Sequence, residues 1–265
     1  MYDFIYEKPA ALPEALASLK SDPEAKALAG GQTFIPVLKQ RLNKPSKVVD
    51  LARLGLSGIT VTPTLVTIGA MTTHAEIALS KDIQRTLPAL AHMASMIGDW
   101  AVRHRGTMGG SIANNDPSAC YPAALLALDG TVTTDRRTIK AGDYFQGMFT
   151  TALQDGELIT SISFPVPERA AYTKFRNPAS RYAMVGVFVA KFASGVRVAI
   201  TGASQGGVFR HTAFEQALSA NFTAEAIAGI ATPAEGLNSD IHASAPYRAH
   251  LIGVMTKRAV LEALG

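Results

Sequence analysis

Two glycine-rich stretches, AGGQTFIP at Ala29–Pro36 and TMGGSIANNDP at Thr107–Pro117, decide how this 265-residue sequence is interpreted. In each stretch two adjacent glycines follow a strand-like segment, and a hydroxyl residue lies within two positions of them. Glycine adopts positive φ readily and has no side chain, so successive N–H groups can point into one anion-binding concavity. Two such loops would suit the two phosphates of a pyrophosphate, and a helix beginning after Thr33 would add its positive end. An ordinary tight turn is the commoner explanation of either glycine pair taken alone.

The overall composition is that of a globular protein, with 48% hydrophobic residues, 17% charged residues and a formal net charge of +4. The single cysteine, Cys120, excludes an internal disulfide and any zinc or iron–sulfur site that needs several thiolates. The uncharged window at residues 54–73 is long enough to span a bilayer, but polar and apolar residues largely alternate in it, which predicts a strand hairpin. We expect a cytoplasmic protein with no membrane span and no nucleic-acid partner.

The hydrophobic pattern predicts an α+β fold. Near the start of the chain, KALAGG and VVDL have strand character and flank the helical FIPVLKQRL, which predicts a parallel βαβ unit. A capping box at Thr73–Glu76 predicts a helix start, and further helices are expected over residues 87–97 and 122–128. YAMVGVFVAKF and VRVAIT predict an antiparallel hairpin, and three helical segments follow residue 210: HTAFEQALSA, TAEAIAGIA and YRAHLIGVMTKRAVLEAL.

Most catalytic signatures are missing from the sequence, including G-x-G-x-x-G, the P-loop and H-E-x-x-H. One match is literal: Gly202–Gly206 has the form G-x-S-x-G, with Asp240 and His250 following in the order of an α/β-hydrolase. Gly206 and Gly207 disfavour the helix that must begin at the serine of a nucleophile elbow. A serine hydrolase using Ser204 therefore stays an alternative, and a turn between a strand and a helix is the preferred interpretation.

The two glycine stretches, extended to AGGQTFIPVLKQRL and TMGGSIANNDPSACYPAALLALDG, resemble the pyrophosphate-binding loops of the FAD-binding medium subunit of molybdenum hydroxylases. This is the xanthine dehydrogenase and aerobic CO dehydrogenase family. MYDFIYEKP and SDIHASAPYRAHLIGVMTKRAVLEAL are similar to the family's start and end, so the resemblance covers the whole chain. It implies a vanillyl-alcohol-oxidase (PCMH) type FAD-binding domain at residues 1–167, with subdomains of about 1–52 and 53–167. A C-terminal domain of a small antiparallel sheet and helices is expected at residues 168–265.

The function implied by the resemblance is that of an oxidoreductase subunit that carries FAD. It would accept electrons from the [2Fe-2S] clusters of a small partner chain and pass them to an external acceptor. The substrate would be oxidised at the molybdenum cofactor of a large partner chain, so no catalytic residue is expected here. A dimer of heterotrimers is expected by analogy, with Arg103 and Arg105 as candidates for the docking surface. A stand-alone FAD-dependent oxidase and a non-catalytic assembly subunit stay open as alternatives.

Transferred position by position, the resemblance implies a set of cofactor-binding residues. Lys174 and Tyr182 would lie near the isoalloxazine ring, with a solvated lysine and a core aromatic as the simpler interpretations. Asn115 would reach the ribityl chain or a phosphate, and Ile159 would pack near the cofactor. The complete set is Ala29, Gly30, Gly31, Gln32, Thr33, Ile35, Pro36, Thr107, Gly109, Gly110, Ser111, Asn115, Cys120, Ile159, Lys174 and Tyr182.

The sequence departs from the family at Cys120, where many relatives carry the second aspartate of a D-P-x-x-D-x-P pattern. A thiol cannot accept the charge-assisted hydrogen bonds that a carboxylate accepts, which puts this one FAD contact in doubt. No histidine or lysine is adjacent to Cys120 in the sequence. A buried, inert thiol is therefore expected.

Overall fold

A three-stranded parallel sheet begins the chain in this computed structural model, which describes residues 1–265. Its strand order is β1-β3-β2, and the central strand is buried along most of its length. The predicted βαβ unit is confirmed, because the second helix connects two strands that pair in parallel. The elements are β1 (Ile5–Glu7), α1 (Leu12–Lys20), β2 (Lys26–Leu28), α2 (Phe34–Lys39) and β3 (Lys47–Asp50).

An antiparallel five-stranded sheet follows, with the strand order β4-β5-β10-β6-β7. The threonine-rich window forms its first hairpin, as predicted. Val66 and Ile68 face the core, whereas the Thr67 hydroxyl on the opposite face lies 3.0 Å from the hydroxyl of Ser163. The strands are β4 (Ile59–Val61), β5 (Leu65–Gly69), β6 (Thr131–Thr134), β7 (Thr138–Lys140) and β10 (Ile159–Pro165), and β8 (Phe145–Gly147) pairs separately with β9 (Thr150–Thr151).

Seven short helices come next, six of them between β5 and β6 and the last after β7. The capping box is confirmed: Thr73 Oγ1 accepts the Glu76 N–H, and the Glu76 carboxylate accepts the Thr73 N–H at 2.7 Å. The helix expected over residues 87–97 is shorter, and Gly98 takes a positive φ beyond its end. These helices are α3 (His74–Leu79), α4 (Lys81–Thr86), α5 (Pro88–Ser95), α6 (Trp100–Arg105), α7 (Met108–Asn114), α8 (Tyr121–Ala127) and α9 (Ala141–Tyr144).

A four-stranded antiparallel sheet and two helices complete the chain, and the predicted hairpin is its centre. The segment TAEAIAGIA forms only a 3₁₀ turn at Ala224–Ile227 rather than a longer helix. Gly229 and Pro233 follow it, and neither residue favours the continuation of a helix. The elements are β11 (Arg169–Arg176), β12 (Ala183–Phe192), β13 (Gly195–Thr201), β14 (Phe209–Arg210), α10 (Thr212–Ala220) and α11 (Ala245–Leu264).

The hydrophobic residues form three cores, and the largest includes residues of both the five-stranded and the four-stranded sheet. Strand β12 joins two of them, since Val187 and Val189 pack with α11 whereas Phe188 and Ala190 face the core that contains α8. Burial on both faces explains why β12 is almost continuously apolar. The division into domains at residues 52 and 167 stays a prediction. None of the helices combines the length and the apolar character required to cross a membrane.

Candidate functional site

A cavity of about 730 Å³ lies where the ends of these sheets and the two glycine stretches meet. Its size is within the range of roughly 300–1,000 Å³ that is usual for small-molecule sites. Thirteen of the sixteen predicted cofactor-binding residues line it, although they come from distant parts of the chain. They are Ala29, Gly30, Gly31, Gln32, Thr33, Thr107, Gly109, Gly110, Ser111, Cys120, Ile159, Lys174 and Tyr182.

The two glycine stretches contact each other on the wall of this cavity. A Cβ at Gly30 would overlap the carbonyl group of Arg105 and lie 2.8 Å from the Cα of Gly106. A Cβ at Gly110 would lie 3.2 Å from the Cβ of Ala29. Glycine at these positions therefore allows the first stretch, which follows the parallel sheet, to approach the backbone between α6 and α7.

The first stretch has the features of an anion cradle. The backbone N–H groups of residues 30–33 donate to no acceptor within the chain, and Gly31 has a φ of +76°. Thr33 precedes α2, and its hydroxyl makes no capping hydrogen bond. Unsatisfied N–H groups at a helix start attract anions because they carry the positive end of the helix dipole. This stretch can accept a phosphate group without breaking a hydrogen bond of the fold.

The second stretch differs from the prediction. Its glycines do not follow a strand but lie in the first turn of α7, with Thr107 as the N-cap. The Gly109 N–H donates to the Ala70 carbonyl at 2.8 Å, and the Gly110 N–H donates to Thr107 Oγ1 at 3.2 Å. The expectation that these N–H groups form a second nest is therefore wrong. A Cβ at Gly109 would lie 2.6 Å from the Cβ of Ala70, so this glycine is required for packing.

Lys174 and Cys120 meet at another part of the cavity wall. The Lys174 Nζ donates to the Met96 carbonyl at 3.2 Å and lies 3.3 Å from the Cys120 Sγ. No cation is adjacent to Cys120 in the sequence, as expected, but in the folded chain Lys174, 54 residues away, contacts its sulfur. Lys174 is half-buried in β11 rather than a solvated strand end, and Tyr182 is 46% exposed rather than part of a core.

Three predicted residues do not line the cavity. Ile35 packs beneath Gly31, and Pro36 lies within α2. Asn115 is buried, and its amide donates to the carbonyls of Gly147 (2.7 Å) and Thr150 (2.9 Å). Asn115 therefore holds the small β8–β9 hairpin. Both hydrogens of its side-chain amide are donated to that hairpin and are not available to a cofactor.

Several titratable residues that sequence reasoning did not assign to the site also line the cavity, among them His74 and Asp116. His74 is buried, and burial together with the charge of Arg103 lowers its pKa to about 4, so the imidazole is neutral at pH 7. Burial raises the pKa of the Asp116 carboxyl. Asp116 could have been found from the sequence, because it lies in the second glycine stretch. His74 could not, because its ring reaches Gly106 only in the folded chain.

The geometry at Ser204 does not support a hydrolase. Ser204 lies in a turn, where its Oγ accepts the Gly206 N–H at 3.1 Å, and no helix begins there. Asp240 pairs with Arg248 at 2.7 Å, whereas His250 is exposed on α11. The serine hydrolase interpretation is wrong because the three residues form no triad.

Residues 2–167 match the family described as the FAD binding domain in molybdopterin dehydrogenase. The chain belongs to this family of FAD-binding domains. The resemblance found in the two glycine stretches is thereby confirmed, and the α+β fold is that of an FAD-binding domain followed by the β11–β14 sheet and its helices.

Relatives and solved structures match this FAD-binding chain over almost its whole length. The medium subunit of nicotine 6-hydroxylase from Paenarthrobacter nicotinovorans is 35% identical, and the match covers 97% of this chain and 96% of that subunit. Quinoline 2-oxidoreductase from Pseudomonas putida 86 has a chain with a TM-score of 0.89 and 28% identity, covering 98% and 96% of the two chains. A CO dehydrogenase from Hydrogenophaga pseudoflava that lacks the Mo-pyranopterin moiety of its molybdenum cofactor has a chain with a TM-score of 0.87 and 32% identity, covering 98% and 97%.

Proposed function

We propose that this chain is the FAD-carrying medium subunit of a heteromeric molybdenum hydroxylase in the cytoplasm. The observation that carries the proposal is the cavity between the glycine stretches, with its free N–H groups at residues 30–33. The similarity to the medium subunit of nicotine 6-hydroxylase along nearly the full length supports the same assignment.

The residues around the cavity fit the two ends of FAD. The free N–H groups of residues 30–33 and the hydroxyl of Thr33 would hold the pyrophosphate, which carries negative charge. Ser111 offers a further hydroxyl on the facing wall. The isoalloxazine ring would lie toward Lys174 and Tyr182, with Ile159 as an apolar contact. When bound, the flavin supplies the redox chemistry, and the protein supplies binding, orientation and charge.

Electrons would reach this chain from the [2Fe-2S] clusters of a small partner subunit and leave to an external acceptor. The substrate would be oxidised at the molybdenum cofactor of a large subunit, and the complex would be a dimer of heterotrimers. Helix α6 is a candidate docking surface, since none of its residues is buried. Trp100 on this helix is 60% exposed, and the guanidinium carbon of Arg103 lies 4.7 Å from the centre of its ring. Arg105 ends the helix.

The first test is the visible absorption spectrum of the purified chain, which should show one noncovalent FAD per chain that acid releases. The second is co-expression with the adjacent genes and purification through a tag on this chain. We expect a complex that contains iron, molybdenum and flavin. A lone flavoprotein that oxidises a substrate with oxygen at a competent rate would instead support the stand-alone oxidase.

A further inference from the structure

Cys120 is set between a cation and a buried hydroxyl at the Lys174 end of the cavity. Its side chain is buried, lines the cavity and lies 3.3 Å from the Lys174 Nζ. No acidic side chain forms an ion pair with Lys174, whose partners are the thiol and the Met96 carbonyl. Since the chain has no second cysteine, an oxidised Cys120 could not be resolved by an internal disulfide. The nucleophile in contact with the sulfur is the lysine amine.

The hydroxyl of Tyr172 gives a second, independent indication at the same sulfur. It is fully buried, has no hydrogen-bond partner and lies beside Cys120. Burial and, to a smaller extent, the neighbouring Cys120 raise the pKa of Tyr172. The hydroxyl therefore keeps its proton at neutral pH and can donate a hydrogen bond. Buried donors are almost always paired, and an unpaired one calls for an explanation such as a redox role. An oxygen atom attached to the Cys120 sulfur would supply the missing acceptor.

We propose that Cys120 is a site of oxidation by peroxide, with Lys174 as the group that resolves the oxidised sulfur. In the first step the sulfur attacks one oxygen of hydrogen peroxide, and the O–O bond breaks. Two electrons pass from sulfur to peroxide, which leaves as water, and Cys120 becomes a sulfenic acid stabilised by the Tyr172 hydroxyl. In the second step the Lys174 ammonium gives one proton to water, its nitrogen attacks the sulfur, an S–N bond forms and the S–O bond breaks. The departing oxygen leaves as water with a proton from the amine, so this step transfers no further electrons.

The cross-link has two consequences for the protein. It joins the N-cap of helix α8 covalently to strand β11, which is distant from it in the sequence. It also changes the charge that Lys174 presents to the cavity. Reaction of a reduced flavin with dioxygen would supply peroxide at this place, and that source alone rests on the proposed function. The chemistry at Cys120 and Lys174 does not depend on it.

The test is hydrogen peroxide added to the purified full-length chain, followed by intact mass and tryptic peptide analysis. We expect a product that has lost two hydrogens, with the peptides of Cys120 and Lys174 linked, and that dithiothreitol returns to the starting mass. Lys174→Arg keeps a cation but removes the nucleophilic amine, so it should stop at a dimedone-reactive sulfenic acid. Tyr172→Phe removes only the unpaired hydroxyl. We expect about fivefold slower oxidation in that variant, the rate equivalent of one hydrogen bond worth about 1 kcal/mol.

Two outcomes would overturn the proposal. One is that Cys120 of the folded wild-type chain stays a free thiol at a peroxide concentration that oxidises the same cysteine in the unfolded chain. The other is a product with oxygen on Cys120 but no link to Lys174, formed at the same rate in the wild type, Lys174→Arg and Tyr172→Phe. Flavin content is measured separately by absorbance in the same samples. A failure to bind FAD is therefore distinguished from a failure to form the cross-link.

Discussion

The backbone of Gly30 rests directly against the carbonyl group of Arg105, with no room for a side chain between them. Gly30 follows the parallel sheet, whereas Arg105 ends α6 and leads through Gly106 into α7. This contact brings the N–H groups of residues 30–33 to the same cavity wall as Thr107 and Ser111. The shape of the proposed pyrophosphate site therefore depends on one glycine.

Gly30→Ala should separate the two stretches and abolish FAD retention, because the added methyl overlaps backbone that cannot rotate away. We expect a loss of about 1–3 kcal/mol in the free energy of unfolding from the overpacking. Gly253→Ala is the matched control, since a Cβ there meets nothing within 4 Å and the position lies inside α11. It should raise stability by up to about 1 kcal/mol and keep the flavin. Equal FAD affinity in both variants would contradict the assigned cradle.

Thr107→Ala should destabilise the chain by about 1 kcal/mol, because Thr107 Oγ1 caps α7 by accepting the Gly110 N–H. Thr107→Ser keeps the hydroxyl and should behave like the wild type. Urea unfolding of both variants measures the difference. A loss in Thr107→Ser as large as in Thr107→Ala would show that the methyl group, rather than the cap, is responsible.

Lys174→Met should lower the reduction potential of the bound flavin. A cation near the ring stabilises the extra negative charge of the reduced form, by the same electrostatics that shift pKa values. Lys174→Arg keeps the charge and should leave the potential close to that of the wild type. Potentials are measured by equilibration with redox dyes, and thermal unfolding is measured in parallel. An unchanged potential combined with a large fall in melting temperature would assign Lys174 a purely structural role.

Binding of FAD should slow the alkylation of Cys120, which lines the cavity near the expected position of the flavin ring. The chain has one cysteine, so every label reports on this position. We expect slower iodoacetamide incorporation with saturating FAD than without it, measured by intact mass. Gly30→Ala, if it folds without binding FAD, should lose the protection. Equal labelling rates for the wild type with and without FAD would place the flavin elsewhere.

Glu157 should make the chain sensitive to acid. The Arg137 guanidinium donates to both carboxylate oxygens at 3.0 Å and lowers the pKa of Glu157 from 4.5 to about 2. A carboxyl whose pKa is depressed by folding stabilises the protein above its unfolded pKa, and this contribution is lost as the pH falls from 4.5 through 2. Glu157→Gln should therefore lower stability at pH 7 and flatten its dependence on pH in this window. Glu225→Gln, at an exposed position, is the control, and urea unfolding from pH 7 downward is the measurement.

Much of the local structure followed from the sequence alone. The capping box at Thr73–Glu76, the threonine-rich hairpin and the helix of residues 122–128 formed nearly as predicted, because caps and side-chain periodicity act within a few residues. The glycine stretches were also recognisable, and their resemblance identified the family. These features depend on the order of residues along a short segment.

Only the tertiary structure decided which predicted residues meet, and what they do there. Gly109 serves packing against Ala70, and Asn115 holds a hairpin. The carbonyl groups that accept from these two residues are distant in the sequence. The contact of Cys120 with Lys174 spans 54 residues, so these two side chains meet only in the folded chain. Periodicity and motifs describe one segment at a time, whereas such contacts depend on how three separate cores assemble around the cavity.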